Sequence, residues 1–248
     1  MCLARHSGEL PKLTQRFLFR MTYFRNLERY LADGYVCAKN HPQMQPGYRI
    51  SFDDIVARRG THEFMTPCGS NVNDFVPFYF SPCTKMAFTI YKQNVRLRDS
   101  EGTDLGVALM EDVAYMVVDP NKLFASGRSV WFTNIACNSG IPPEYEHRPE
   151  LLEAHVDWAL FDDEPRMGRI PEISYAGVCR WQHDRDQPVE HQMRSKKRMA
   201  EFMVRDYLRM DEVSCIVLQT TQHAGEVRAW VDASGVEIPV YVKPGCYF

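Results

Sequence analysis

One carboxylate, Glu201, stands where the polar segment Lys196-Lys-Arg-Met-Ala200 runs into the apolar Phe202-Met-Val204. If residues 200–204 form a strand, Glu201 and Met203 share one face, and Ala200, Phe202 and Val204 share the other. A carboxylate at the mouth of a core strand is rigidly held and partly desolvated, which suits a general base. The same stretch also fits a helix, with Met199, Phe202, Met203 and Tyr207 as its stripe. Glu201 would then pair with Lys197 and Arg205 at i±4 on a solvated face. Periodicity leaves both readings open. Arg59 is the second candidate, because guanidinium offers a fixed fork of donors to a phosphate or a developing oxyanion. An idle surface arginine beside Arg58 is the plainer alternative. The third is Arg20-Met-Thr-Tyr-Phe-Arg-Asn-Leu27, a strand-to-helix turn whose N–H groups near Asn26 suit phosphate or ribose oxygens.

These residues need elements to position them. Asp74-Phe-Val-Pro-Phe-Tyr-Phe-Ser-Pro-Cys-Thr-Lys-Met86 reads as an aromatic strand by β-propensity. Pro77 has no N–H to donate and disfavours a fully paired ladder position. Pro82 stops the strand, and Ser81, Thr84 and Lys85 crowd its exit with donors. A stiff aromatic strand of this kind could form a wall for a flat ring. Residues 17–24 read as a strand, followed by a helix with Leu27, Tyr30 and Leu31 at i, i+3, i+4 and Gly34 as its C-terminal cap. Residues 36–50 read as a loop, and Ser51 could cap a short helix running to Arg59. Further along, the pattern predicts a strand at 131–133, a helix over 151–161 and mostly loop over 162–190. It then predicts a strand at 213–218, a helix over 222–232 ended by Gly235, and a final strand at 237–242. Many short strands without βαβ alternation indicate an α+β fold.

The 248 residues, 45% hydrophobic, suit one domain spanning 1–248 with a sizeable core. No apolar run approaches the ~20 residues of a membrane span, and the first twelve residues lack the apolar core of a signal peptide. A cytoplasmic location is the expectation. The eight cysteines contain no C-x-x-C pair, which disfavours structural zinc, and no metal is expected. Neither G-x-G-x-x-G nor a Walker sequence is present. The net charge of −3 is not the footprint of a protein that coats nucleic acid. Basic residues nevertheless cluster at 58–59, 92–98 and 194–198, where a groove could hold a short polyanion.

Taken together these motifs resemble the DarT family, the toxins of DarT–DarG toxin–antitoxin systems, over roughly residues 17–248. The segment Asp74 to Pro82 matches the family's D-[YF]-V-P-F-Y-F-[ST]-P almost residue for residue. Ala200-Glu-Phe-Met-Val204 matches A-E-F-[LM]-V. Arg20, Thr22, Tyr23, Asn26 and Leu27 follow the N-terminal pattern, with Tyr23 in place of the usual histidine. Phe132-Thr-Asn-Ile-Ala136 departs from the family's Phe-Thr-Asp-x-His. The resemblance implies an ADP-ribosyltransferase fold with split central sheets flanked by helices. It also implies transfer of ADP-ribose from NAD to a thymidine or guanosine base of single-stranded DNA. Glu201 and Arg59 would be catalytic, and Arg20, Thr22, Tyr23, Asn26, Leu27, Tyr79 and Phe80 would hold NAD. DNA would lie along Arg180, Trp181, Arg194, Lys196, Lys197 and Arg198, together with His183. The resemblance places Glu201 on a strand and implies a macrodomain antitoxin of the DarG kind as partner. The other readings keep NAD with an RNA or protein acceptor, or reduce the chain to a non-catalytic nucleotide- or nucleic-acid-binding module.

Overall fold

The computed structural model describes residues 16–51, 58–61, 63–181 and 193–248. Its strands in chain order are β1 (Leu18–Tyr23), β2 (Tyr35–Cys37), β3 (Phe75–Tyr79), β4 (Arg96–Arg98), β5 (Asp104–Val107), β6 (Val113–Val118) and β7 (Val130–Thr133). They continue with β8 (Tyr145–Glu146), β9 (Arg166–Met167), β10 (Val178–Cys179), β11 (Glu201–Arg205), β12 (Tyr207–Arg209), β13 (Val213–Leu218) and β14 (Val240–Val242). Eight strands form the main sheet in the order β14-β13-β6-β1-β3-β11-β7-β8, and only the β13–β14 pair is parallel. The longer helices are Asn26–Asp33 and Thr221–Ser234, which pack against each other. This is an α+β architecture.

The sheet is split in the middle. β1 pairs with β6 over six residues and β3 with β11 over five, yet β1 meets β3 only at Phe19 and Tyr79. Pro77 accounts for the opening. In an extended residue N and C=O point to the same side, and Arg20 on β1 donates to the Pro77 carbonyl at 3.2 Å. The missing N–H therefore faces β1, where a ladder would need it. On the other side, Pro77 stands opposite Met203 in an unbroken register with β11.

β11 alternates as a strand should. Phe202 and Val204 join the main core with Val76, Phe78 and Phe132. Met203 faces a smaller cluster of Phe64, Val72, Phe75, Trp131 and Cys137. β6, apolar at every position, is buried throughout, as a strand covered on both faces requires. Gly34 and Gly235 both cap helices in the left-handed conformation, as the sequence predicts.

Two expectations differ. The helix expected over 151–161 is two single turns, Leu152–His155 and Ala159–Asp162, interrupted by extended Val156. The Trp158 indole donates to the Leu152 carbonyl at 3.4 Å, and its ring packs on Phe80 and Phe161. Burying those rings together breaks the helix. Residues 162–181, read from the sequence as mostly loop, hold β9, β10 and a 3-10 turn. Most of the helix expected to begin at Ser51 lies outside the described residues.

Candidate active site

Glu201 is the first residue of β11 and is 1% exposed. A buried carboxylate is costly unless its oxygens are paired. Arg59 supplies a two-pronged pair, with Nη1 at 3.0 Å from Oε1 and Nη2 at 2.8 Å from Oε2. The backbone N–H of Cys137 donates to Oε1 at 3.0 Å. The Glu201 N–H in turn donates to the Thr133 hydroxyl at 3.0 Å. The helical reading, with Lys197 and Arg205 as partners, is thereby overturned. Arg59, which sequence alone leaves as a possible surface residue, closes over the strand mouth 142 positions away in the chain. Burial opposes its charge, but the Glu201 carboxylate outweighs that and holds the guanidinium above its ordinary value.

The register arranges a row across the sheet. Tyr79 pairs with Glu201, Phe202 pairs with Phe132, and Thr133 pairs with Tyr145. Extending the β11–β7 register by one residue sets Thr133 beside Glu201, and their hydrogen bond agrees. Tyr79, Glu201, Thr133 and Tyr145 thus follow one another on β3, β11, β7 and β8. Burial first, then the Glu201 charge, pushes the Tyr79 phenol and the Cys137 thiol upward, so both stay neutral. Tyr145 is pushed up by burial, then by Cys137 and Glu201. Thr133, Cys137 and Tyr145 escape sequence reasoning. They reach Glu201 through strand register and a backbone N–H, neither of which marks a side-chain pattern.

On the β1 side, Arg20 is half-buried, and its Nε has no hydrogen-bond partner. Burial lowers its pKa, while Tyr30 and Tyr79 act the other way. Asn26 clamps the loop after β2, accepting from the Tyr48 N–H at 2.7 Å and donating to its carbonyl at 2.9 Å. It also donates to Thr22 Oγ1 at 3.2 Å. A Cβ at Gly47 would lie 2.6 Å from Asn26 Oδ1, so this close approach requires glycine. The Tyr23 ring packs on Tyr48 at 4.9 Å. These residues shape the wall rather than offering loose donors.

Several expected contacts fall elsewhere. Leu27 is wholly buried in the core and anchors its helix instead of facing a ligand. Phe80 is 3% exposed and packs edge-on against Trp158, Phe161 and Phe202, on the sheet face opposite Glu201. Of the two aromatics expected at the pocket, only Tyr79 lies in the Glu201 row. Arg194 and Arg198 are both 0% exposed, and both donate to the Leu160 carbonyl, at 3.1 and 2.9 Å. Arg194 also pairs with Asp163 at 2.6 Å, and Arg198 reaches Ser81 Oγ and the Cys83 carbonyl. They tie the approach to β11 into the core and do not form a DNA groove. Lys197 pairs with Asp157 at 2.8 Å, and Arg180 donates to the Tyr247 carbonyl. The Arg194 guanidinium lies over the Trp181 ring at 4.1 Å. Lys196 is exposed. In the 92–98 run, Arg96 is forked onto Asp104. His183 lies outside the described residues. Among those residues no cluster of side chains could hold a metal ion, and no helix is long and apolar enough to cross a membrane.

The family model described as ssDNA thymidine ADP-ribosyltransferase, DarT, matches residues 19–248. The chain belongs to the DarT family. A DNA ADP-ribosyl transferase of Thermus sp. strain 2.9 is 35% identical over 143 residues. That match covers 57% of this chain and 62% of the relative, less than two thirds of its length. The solved structure of Thermus sp. 2.9 DarT in complex with ADP-ribosylated ssDNA superposes with a TM-score of 0.72 at 19% identity. It covers 96% of this chain and 98% of that one. Thermus sp. 2.9 DarT in complex with NAD+ gives a TM-score of 0.66 at 18% identity, covering 96% and 100%. At these identities the likeness is one of fold. It accords with an α+β, ADP-ribosyltransferase-like fold, a central sheet flanked by helices.

Proposed function

We propose that this chain transfers ADP-ribose from NAD to a thymidine base of single-stranded DNA and releases nicotinamide. The observation that carries the reading is Glu201, a buried carboxylate at a strand mouth, forked by Arg59 and held by the Cys137 N–H. The residues present suit NAD. The partnerless Nε of Arg20 lies in the gap between the half-sheets, beside Tyr79, a neutral aromatic next to the carboxylate.

Breaking the bond between nicotinamide and ribose builds positive charge at the anomeric carbon, as in glycoside hydrolysis. Glu201 holds a ribose hydroxyl, faces that charge and accepts the proton of the attacking ring nitrogen. Arg59 engages both Glu201 oxygens in the structure, so it gives up one prong when ribose takes its place. The freed donors then steady phosphate or base. Tyr79 offers its ring to nicotinamide. A base stacked in a duplex cannot reach such a centre, which favours a single strand. The family resemblance extends the proposal to a toxin role with a macrodomain antitoxin of the DarG kind as partner.

The test is incubation with NAD and matched single-stranded DNA, duplex DNA, RNA and a protein lysate, followed by mass measurement. The reading expects one ADP-ribose per modified base on single-stranded DNA alone, and none with Glu201→Gln. Modification of RNA or polypeptide only would shift the acceptor. Binding without NAD turnover by the wild type would leave a binding module.

A further inference from the structure

Glu201 opens β11, so its carboxylate is only as well placed as the strand mouth and the donor behind it. One buried hydroxyl joins the two. Thr133, the last residue of β7, is 0% exposed and stands beside Glu201. Its Oγ1 accepts from the Glu201 N–H at 3.0 Å and donates to the Ile135 carbonyl at 2.6 Å. A hydroxyl both accepts and donates, so one atom serves both partners. The first bond fixes the backbone that carries the carboxylate. The second folds the chain back two residues before Cys137, whose N–H then reaches Glu201 Oε1 at 3.0 Å. The path from the Glu201 N–H through Thr133, Ile135 and Cys137 thus returns to the carboxylate of the same residue.

All of this path is buried. Ile135 and Ala136 belong to the core, and Cys137 is 1% exposed. The Cys137 thiol is in hydrogen-bonding contact with the Thr133 and Tyr145 hydroxyls, and its Sγ lies 3.8 Å from Met203 Sδ. Groups held this far from solvent lose their bonds without replacement when a partner is removed. The donors also divide unevenly between the two carboxylate oxygens. Oε1 takes Arg59 Nη1 and the Cys137 N–H, whereas Oε2 takes Arg59 Nη2 alone among the described residues. When ribose displaces a prong of Arg59, Oε1 keeps a partner that belongs to the backbone and cannot swing away. Oε2 is then the oxygen presented to the substrate.

We propose that Thr133 is a positioning residue for the transfer reaction, its hydroxyl locking the Glu201 backbone and the Cys137 N–H into one unit that anchors Oε1 and leaves Oε2 to work. This rests on the base-transfer reading above. In the step it supports, the ring nitrogen of the base forms its bond to the anomeric carbon and passes its proton to Oε2. The bond to nicotinamide breaks, and its electron pair leaves with neutral nicotinamide, so nothing is oxidised or reduced. Thr133 itself touches no substrate.

The test compares wild type, Thr133→Val, Thr133→Ser and the core variant Val217→Ala. Each is assayed for NAD hydrolysis and for transfer to a single-stranded oligonucleotide, well below every melting midpoint. Thr133→Val keeps the shape and deletes the hydroxyl. A reacting group misplaced by about 1 Å costs about 100-fold, so kcat should fall by about 10- to 100-fold in both assays. KM for NAD and for DNA should stay within about threefold, because the lost alignment matters in the transition state. Thr133→Ser keeps the hydroxyl and should return kcat to within about threefold of wild type. Val217 is fully buried on β13, four strands from β11, so its truncation lowers the melting midpoint away from the site and should leave kcat unchanged. If Thr133→Val does not fold, Thr133→Ala makes the same deletion with less bulk. A hydroxyl-deleted variant as fast as Val217→Ala would overturn the proposal, as would a Thr133→Ser as slow as Thr133→Val. A wild type that consumes NAD but modifies no oligonucleotide would instead remove the base-transfer reading, and NAD hydrolysis would then decide the role of Thr133.

Discussion

Replacing Arg59 by methionine removes the only side chain paired with the Glu201 carboxylate among the described residues while keeping comparable bulk. Glu201 is 1% exposed and the Arg59 side chain 12%, so water cannot readily take over the lost contacts. Breaking a buried pair from one side costs about 3–5 kcal/mol. The Cys137 N–H still serves Oε1, which argues for the lower end, about 3 kcal/mol. At roughly 2–4 °C per kcal/mol for a chain of this size, the midpoint of thermal unfolding should fall by about 6–12 °C. The double variant Arg59→Met/Glu201→Gln removes the stranded charge and should recover about 2 kcal/mol relative to the sum of the singles. Neither variant should transfer ADP-ribose. Thermal unfolding followed by circular dichroism at pH 7 completes the cycle. Strictly additive losses would refute the reasoning, since they would mean that the two groups do not share one buried ion pair.

Other consequences concern neighbouring elements. Arg194→Ala and Arg198→Ala should each destabilise the fold by about 2–4 kcal/mol, because each removes a fully buried side chain with its packing and leaves the Leu160 carbonyl one donor instead of two. Lys196→Ala should leave the melting midpoint unchanged, and denaturant titration separates the three. Glu146 is held down to about 2, chiefly by Arg148, against opposition from burial and with help from backbone N–H groups. Its contribution is present above its ordinary value of 4.5 and is lost as pH falls from there toward 2. Melts across that window should therefore show a shallower acid limb for Glu146→Gln. Among the described cysteines all but Cys68 are buried, and Cys83 and Cys215 are pushed to about 11 and 12 by burial. Mass mapping after brief native alkylation at pH 8 should find Cys68 labelled ahead of those six.

The residues that signal locally were the ones legible in the sequence. Gly34 and Gly235 announce helix ends because few other residues accept a left-handed cap. Pro77 announces a defect in pairing, and the split between β1 and β3 falls at that strand. Glu201 remained ambiguous because its stretch satisfies both periods. The decision came from partners 142 and 64 positions away, Arg59 and Cys137, whose contacts no local pattern encodes. The 194–198 run misled for a related reason. Arg194 and Arg198 are four apart and share the inward side of one helical turn, where distant carbonyls and Asp163 receive them. A basic run reads as solvated until those acceptors are known. Phe80 failed as a pocket residue through simple alternation, since its neighbour Tyr79 already takes the Glu201 face.

The central claim is that Glu201, in the grip of Arg59, performs base ADP-ribosylation. Mass spectrometry of a thymidine-containing single-stranded oligonucleotide, incubated with NAD and either wild type or Glu201→Gln, addresses it most directly. The account predicts a gain of one ADP-ribose on the thymidine base with wild type and an unmodified strand with the variant. An equal gain with both proteins, or no gain with wild type under conditions where NAD is consumed, would contradict it.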